Sequence, residues 1–170
     1  LMSDIVAFFL PQYALTNEAL SQDHWPLWNP CQQGGVPLHA NYQSAVFYPF
    51  RIAHYLLDVR WGQTLYIILK LALCGAISYL AARMLGLRVG VARFFSTGWM
   101  LSSYAVIWCN WPLTDVAAWL PIVFLGAESS LRGRYVHGFV ATVAGGAMLL
   151  LAGHPESAFA MGLGLGLYFL

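Results

Sequence analysis

The sequence predicts an all-α polytopic transmembrane helical bundle with an extracytoplasmic helical cap, and three observations lead there. Hydrophobic residues make up 59% of the chain and charged residues 9%, with a mean hydropathy of +0.63. Soluble domains carry about 25% charged residues, so there is too little charge here to clothe a water-facing surface. Apolar stretches recur through residues 62–170, whereas residues 1–61 are punctuated by proline and glycine. Finally, Arg83, Arg88 and Arg93 cluster in one inter-span loop, and Arg132 and Arg134 in another. Both loops fall on one side of the predicted bundle, which the positive-inside rule makes cytoplasmic. A net charge of +1 gives no case for nucleic acid as a partner.

Residues 1–61 form the predicted cap. Asp4 precedes the apolar run Ile5 to Leu10, and Pro11 starts a second helical stretch through Leu20. Trp25-Pro26-Leu27-Trp28-Asn29-Pro30 then opens a segment that cannot form one regular element, because each proline fixes φ and restrains the residue before it. Asn29-Pro30 and Gly34-Gly35 predict turns. The segment is rich in Trp, Tyr and Phe, unlike a disordered linker, and such rings favour the membrane interface. Between Asn41 and Leu57 the apolar residues fall on one helical stripe, with Pro49 able to restart the helix. This predicts an amphipathic helix pair lying on the membrane surface.

Residues 62–86 form the first predicted span, roughly 37 Å at 1.5 Å per residue. Lys70 lies inside it. One lysine costs about 2.5–3.5 kcal/mol at the bilayer centre, while each Leu or Ile returns roughly 0.3–0.6. The eight Leu and Ile residues from Leu65 to Leu80 outweigh it, so insertion wins. Further spans are predicted at 93–110, 116–131 and 136–152, with a fifth starting at 157 and running to 170. Trp108, Trp111 and Trp119 ring one turn, as expected at an interface. The spacing of Gly162 and Gly166 predicts close helix packing, and Gly145-Gly146 is read the same way. A preceding span and several following ones are expected to accompany this stretch. Cys74 reads as a small core residue; Cys31 and Cys109 share the outer face and could pair, although nothing in their spacing demands it.

Several pieces together carry a family resemblance: Asp4 and Pro11, then P-L-W-N-P (Pro26 to Pro30), G-x-P-L-x-A-N-x-Q-S-A (Gly35 to Ala45) and F-Y-P (Phe47 to Pro49). In combination they resemble the first extracytoplasmic loop of the bacterial YfhO-like membrane proteins. Those are similar to the multi-spanning GT-C glycosyltransferases that use lipid-phosphate sugars. The likeness is strongest over residues 4–49 and continues more weakly in W-L-P (Trp119 to Pro121) and G-H-P-E (Gly153 to Glu156). It implies a GT-C-like fold in the bacterial cytoplasmic membrane. It further implies a polyprenyl-phosphate sugar donor and an extracytoplasmic glycan or polymer acceptor.

The resemblance places Asp4 where GT-C enzymes keep a catalytic carboxylate. An acceptor hydroxyl attacking a sugar carbon needs such a base; alternatively, Asp before an apolar helix is a good N-cap. His39, Asn41 and Gln43 offer donors and acceptors suited to sugar hydroxyls, or else satisfy the backbone of a proline-dense loop. Trp25 and Trp28 read as interface anchors more readily than as sugar-stacking platforms. Asp115, His154 and Glu156 come from two other outer turns and could bind an acceptor, a phosphate or a divalent metal. Their spacing is no recognised metal-ligand pattern, and Asp115 and Glu156 also suit helix N-termini. Arg51, Arg60 and Lys70 are the cations near the outer face, so a lipid-phosphate donor needs one of them; Lys70 could instead snorkel to the headgroups. No Walker loop, H-E-x-x-H or G-x-S-x-G occurs. The rival to an enzyme is a transporter or lipid flippase, whose polar residues should lie near the midplane rather than at the outer mouth.

Overall fold

A computed structural model describes residues 4–170, which are mostly helical, with one two-stranded ribbon among them. It divides into two compact units, one ending at Leu69 and the other spanning Lys70–Leu170.

In the first unit a π-helical turn over Ile5–Phe9 runs directly into helix α1 (Leu10–Ser21), with Pro11 in its first turn. Proline costs nothing there, because its missing N–H would have no partner in any case. Helix α1 buries Gln12, Tyr13 and Thr16, which one helical face brings together. The strands β1 (Trp28–Asn29) and β2 (Val36–Pro37) pair antiparallel. The turn between them carries Gln33, Gly34 and Gly35 at φ of 49°, 77° and 117°. A Cβ on Gly35 would lie 2.6 Å from the Trp28 indole, so the ring packs directly on this turn.

The helix pair expected between Asn41 and Leu57 is not formed. Tyr42–Ser44 is a single 3₁₀ turn, ended by Ala45 in the left-handed region, and the chain restarts at Pro49. A 3₁₀ turn over Pro49–Arg51 leads into the short helix α2 (Ile52–Leu56). The apolar spacing was right for a helix, but the Asn41 side chain accepts the Gln43 N–H at 3.2 Å and caps a local turn instead. Asn17 on α1 donates to the carbonyls of His54, Tyr55 and Leu57 at 2.7, 3.1 and 3.2 Å. These are groups that the end of a helix leaves without helical donors.

Helix α3 (Val59–Met84) carries the boundary between the units within it. Asp58 starts it by accepting the Arg60 N–H at 3.0 Å. Its 26 residues extend about 39 Å. Among the described residues it is the one helix long and apolar enough to cross a membrane, and only 39% of its apolar window is buried. Most of that face therefore looks outward, with Leu65, Ile68 and Leu80 exposed.

The second unit continues with α4 (Val89–Met100), α5 (Ser103–Ile107), α6 (Pro112–Leu131), α7 (Tyr135–Leu151) and α8 (Pro155–Tyr168). The stretch 93–110, expected as one span, is broken at Leu101-Ser102. There the Ser102 hydroxyl accepts the Ala105 N–H at 3.2 Å and begins a new helix. Hydropathy does not register such a break, since the residues on both sides are apolar.

Helices α6 and α7 form a tight hairpin through small residues. A Cβ on Gly126 would sit 2.6 Å from the Thr142 nitrogen, and one on Gly138 would sit 2.7 Å from the Gly126 oxygen. This is the small-residue packing that lets helix backbones touch in lipid. Gly145 takes part against Ile122 and Val123, whereas Gly146, Gly162 and Gly166 meet nothing within 4 Å. Gly138→Ala should therefore lower the thermal midpoint of the detergent-solubilised protein, at a cost of about 1–3 kcal/mol for overpacking. Gly162→Ala should leave it unchanged or raise it, since alanine is the better helix former.

Candidate functional site

Within the first unit the polar groups collect around a buried cation. The Arg51 guanidinium lies 4.3 Å from the Tyr13 ring centroid and 4.5 Å from that of Tyr66, and the residue is 1% exposed. His54 is fully buried beside the same two rings, with Nε2 2.8 Å from Gln63 Oε1. The Tyr55 hydroxyl donates to the Val46 carbonyl at 2.8 Å. Burial pushes its phenol up to about 12, against the opposing pull of the Arg51 charge. A desolvated cation–π contact is worth about 2 kcal/mol or more, so Arg51 holds α1, α2 and the start of α3 together. Arg60, by contrast, stands exposed in the first turn of α3.

Asp4 is exposed and already helical, with φ −71° and ψ −33°, and makes no side-chain capping hydrogen bond. His39 is exposed, its Nδ1 3.4 Å from the Leu27 carbonyl oxygen. Asn41 has two tasks: its oxygen caps the Tyr42–Ser44 turn, and its Nδ2 donates to Gln12 Oε1 at 3.3 Å. Gln43 is half-buried in that same turn. Sequence reading overlooked Gln12, Tyr13, His54 and Tyr66. Its one available hint was the polar Gln12 and Thr16 four residues apart on an otherwise apolar helix.

In the second unit Lys70 and Asp115 are spent on each other. Lys70 Nζ lies 2.9 Å from Asp115 Oδ2, both side chains being 1% exposed. It also donates to the carbonyls of Cys109 and Trp111, each at 3.0 Å. Three acceptors match the three N–H bonds of an ammonium, so Lys70 does not reach outward to headgroups. His154 caps α8, its Nδ1 accepting the Ser157 N–H at 3.2 Å. That bond keeps the neutral ring's proton on Nε2, which faces Glu156 Oε2 at 3.4 Å. Glu156 itself is largely exposed, in the first turn of α8 where the helix dipole favours it. Among the described residues no three His, Cys, Asp or Glu side chains gather as metal ligands. Cys31, Cys74 and Cys109 are free thiols.

The sites thus stand as two groups: Asp4, His39, Asn41, Gln43, Arg51 and Arg60 in the first unit, and Lys70, Asp115, His154 and Glu156 in the second. Compared with family models, curated proteins and solved structures, the chain finds no match.

Proposed function

We propose that the chain is part of an integral membrane glycosyltransferase of the GT-C type, resident in the bacterial cytoplasmic membrane. It transfers a sugar from a polyprenyl-phosphate donor to an extracytoplasmic acceptor such as a cell-envelope polymer. The observation that supports this reading is Asp4: an exposed carboxylate at the position the YfhO-like resemblance implies. In the proposed step it takes the acceptor hydroxyl proton as the oxygen attacks the anomeric carbon. The bond to phosphate breaks, and polyprenyl phosphate leaves with its electron pair, inverting the sugar. With Arg51 enclosed by tyrosines and Lys70 held by Asp115, Arg60 is the cation assigned to the donor phosphate.

The multi-pass arrangement is supported by what the second unit exposes. Val136, Phe139, Val140 and Val143 on α7 and Phe159, Leu163 and Leu167 on α8 are all more than half exposed. Apolar faces of that extent are rare on monomers in water and ordinary in lipid.

A transporter or flippase is the second reading, favoured by the Lys70–Asp115 pair inside an apolar helix, since charge there points to function by default. Liposomes holding the full-length protein and radiolabelled polyprenyl-phosphate sugars separate the two. Label should pass covalently to the acceptor with release of polyprenyl phosphate. Movement of intact donor across the bilayer without transfer would instead establish the second reading.

A further inference from the structure

In the second unit the turn between α3 and α4 borders an apolar cavity of about 380 Å³. Its walls come from four helices and that turn, with Leu85 and Leu87 of the turn, Phe95 and Trp99 of α4, Phe124 of α6 and Leu165 of α8 among them. Every lining side chain is Ala, Leu, Pro, Phe or Trp. The volume falls within the range for small-molecule sites, about 300–1,000 Å³. Water is poorly held in such a space, since a buried water needs roughly two to four polar partners. Leu87 and Phe95 are 39% and 43% exposed, so the cavity opens outward beside the turn.

The same turn is basic. Arg83 lies in the last turn of α3 and donates through Nη1 to the Leu87 carbonyl at 2.7 Å, which holds its guanidinium against the backbone of a wall residue. Arg83 is exposed, and one carbonyl leaves most of a guanidinium's donors for other acceptors. Arg88 follows Leu87 directly and is exposed as well. No Asp or Glu occurs between Asp58 and Asp115, so nothing acidic on α3, the turn or α4 offsets these charges. An apolar cavity with cations at its open end is complementary to a hydrocarbon chain that carries an anionic head.

We infer that this cavity takes one acyl chain of an anionic phospholipid, whose phosphate is met by Arg83 and Arg88. Apolar walls accept a hydrocarbon chain without a hydrogen bond, and a guanidinium matches phosphate oxygens in pairs. Charge placement agrees. Both arginines belong to the loop that the positive-inside rule makes cytoplasmic, and the anionic leaflet on that side attracts basic segments. A polyprenyl phosphate has a similar tail and head, but the donor of an extracytoplasmic step is drawn from the opposite leaflet. The inference rests on the membrane residence proposed above and not on sugar transfer.

The test uses the full-length protein in vesicles of phosphatidylcholine and phosphatidylglycerol, with a trace of phosphatidylglycerol that carries a diazirine on one acyl chain. After irradiation, peptide mass spectrometry should place the adducts mainly on Leu85, Leu87, Phe95 and Trp99. Added unlabelled phosphatidylglycerol should suppress them, and phosphatidylcholine should not. Arg83→Gln with Arg88→Gln should lower their yield by about tenfold or more, the scale of two cations beside an anionic surface, with the thermal midpoint little changed. Leu87→Trp, at an exposed position, should block the entrance and remove the adducts on Phe95 and Trp99. Adducts spread evenly over exposed residues such as Phe139 and Phe159 would mark ordinary boundary lipid and overturn the inference. So would suppression by polyprenyl phosphate alone, which gives the cavity to an isoprenoid. Release of the protein from membranes by alkaline carbonate would overturn the membrane reading and this inference together. Adducts in the cavity of a protein that transfers no sugar uphold the lipid site and count against the enzyme only.

Discussion

Asp4→Asn in the full-length protein is expected to leave membrane abundance unchanged and to lower glycosyl transfer by about 10²-fold or more. That is the lower range of what a general acid or base contributes. Asparagine keeps the shape of the side chain and caps a helix about as well as aspartate does; what it loses is the capacity to take a proton. The structure sharpens the comparison, because Asp4 is in helical conformation and forms no capping hydrogen bond with its side chain. A fall in activity could not then be charged to a lost cap. Turnover would be followed with a purified polyprenyl-phosphate sugar, alongside membrane levels of the variant. Near-normal turnover would remove Asp4 from the mechanism. Glu156 would be the next carboxylate to test, since Asp115 is already committed to Lys70.

The second large effect is on stability. Lys70→Met leaves the Asp115 carboxylate buried without its cation, and removing one member of a buried pair costs about 3–5 kcal/mol. The variant should show a strongly lowered thermal midpoint in detergent and reduced membrane levels. Lys70→Met combined with Asp115→Leu should recover most of the loss, because replacing both charges by apolar groups is often neutral or better. The Cys109 and Trp111 carbonyls would still forfeit a donor, so recovery should stop short of complete. Should the single variant be as stable as the parent, the pair carries no structural weight and Lys70 returns as a candidate for a transport path.

What could be read in advance divides by range. The helical stretches of the second unit were legible because apolar runs at 116–131 and 136–152 leave the backbone little else to do, and they lie within α6 and close to α7. Turn chemistry at Gly34-Gly35 and the restart at Pro49 were legible for the same local reason. The break at Ser102 was not, since one hydroxyl decides it within a run whose hydropathy is continuous. Nor was the partnership of Lys70 with Asp115, or the gathering of Tyr13, Arg51, His54 and Tyr66. Lys70, Asp115 and Arg51 read as separate candidates and the other three drew no notice, because only tertiary contact makes them one another's environment.

The Lys70–Asp115 pair also constrains how the protein is made. Lys70 lies near the middle of α3, so on the membrane reading proposed above that helix would leave the ribosome with a bare ammonium at its centre and enter lipid at a penalty. Its counter-charge is on α6, which is synthesised only after α4 and α5. Until α6 arrives, α3 would then have a reason to linger in the wet, protein-lined environment of the insertion machinery rather than partition freely. On that reading the pair would act as a checkpoint on assembly order. A nascent chain stalled before Asp115 should leave α3 easier to extract from the membrane than one stalled after α6 has emerged.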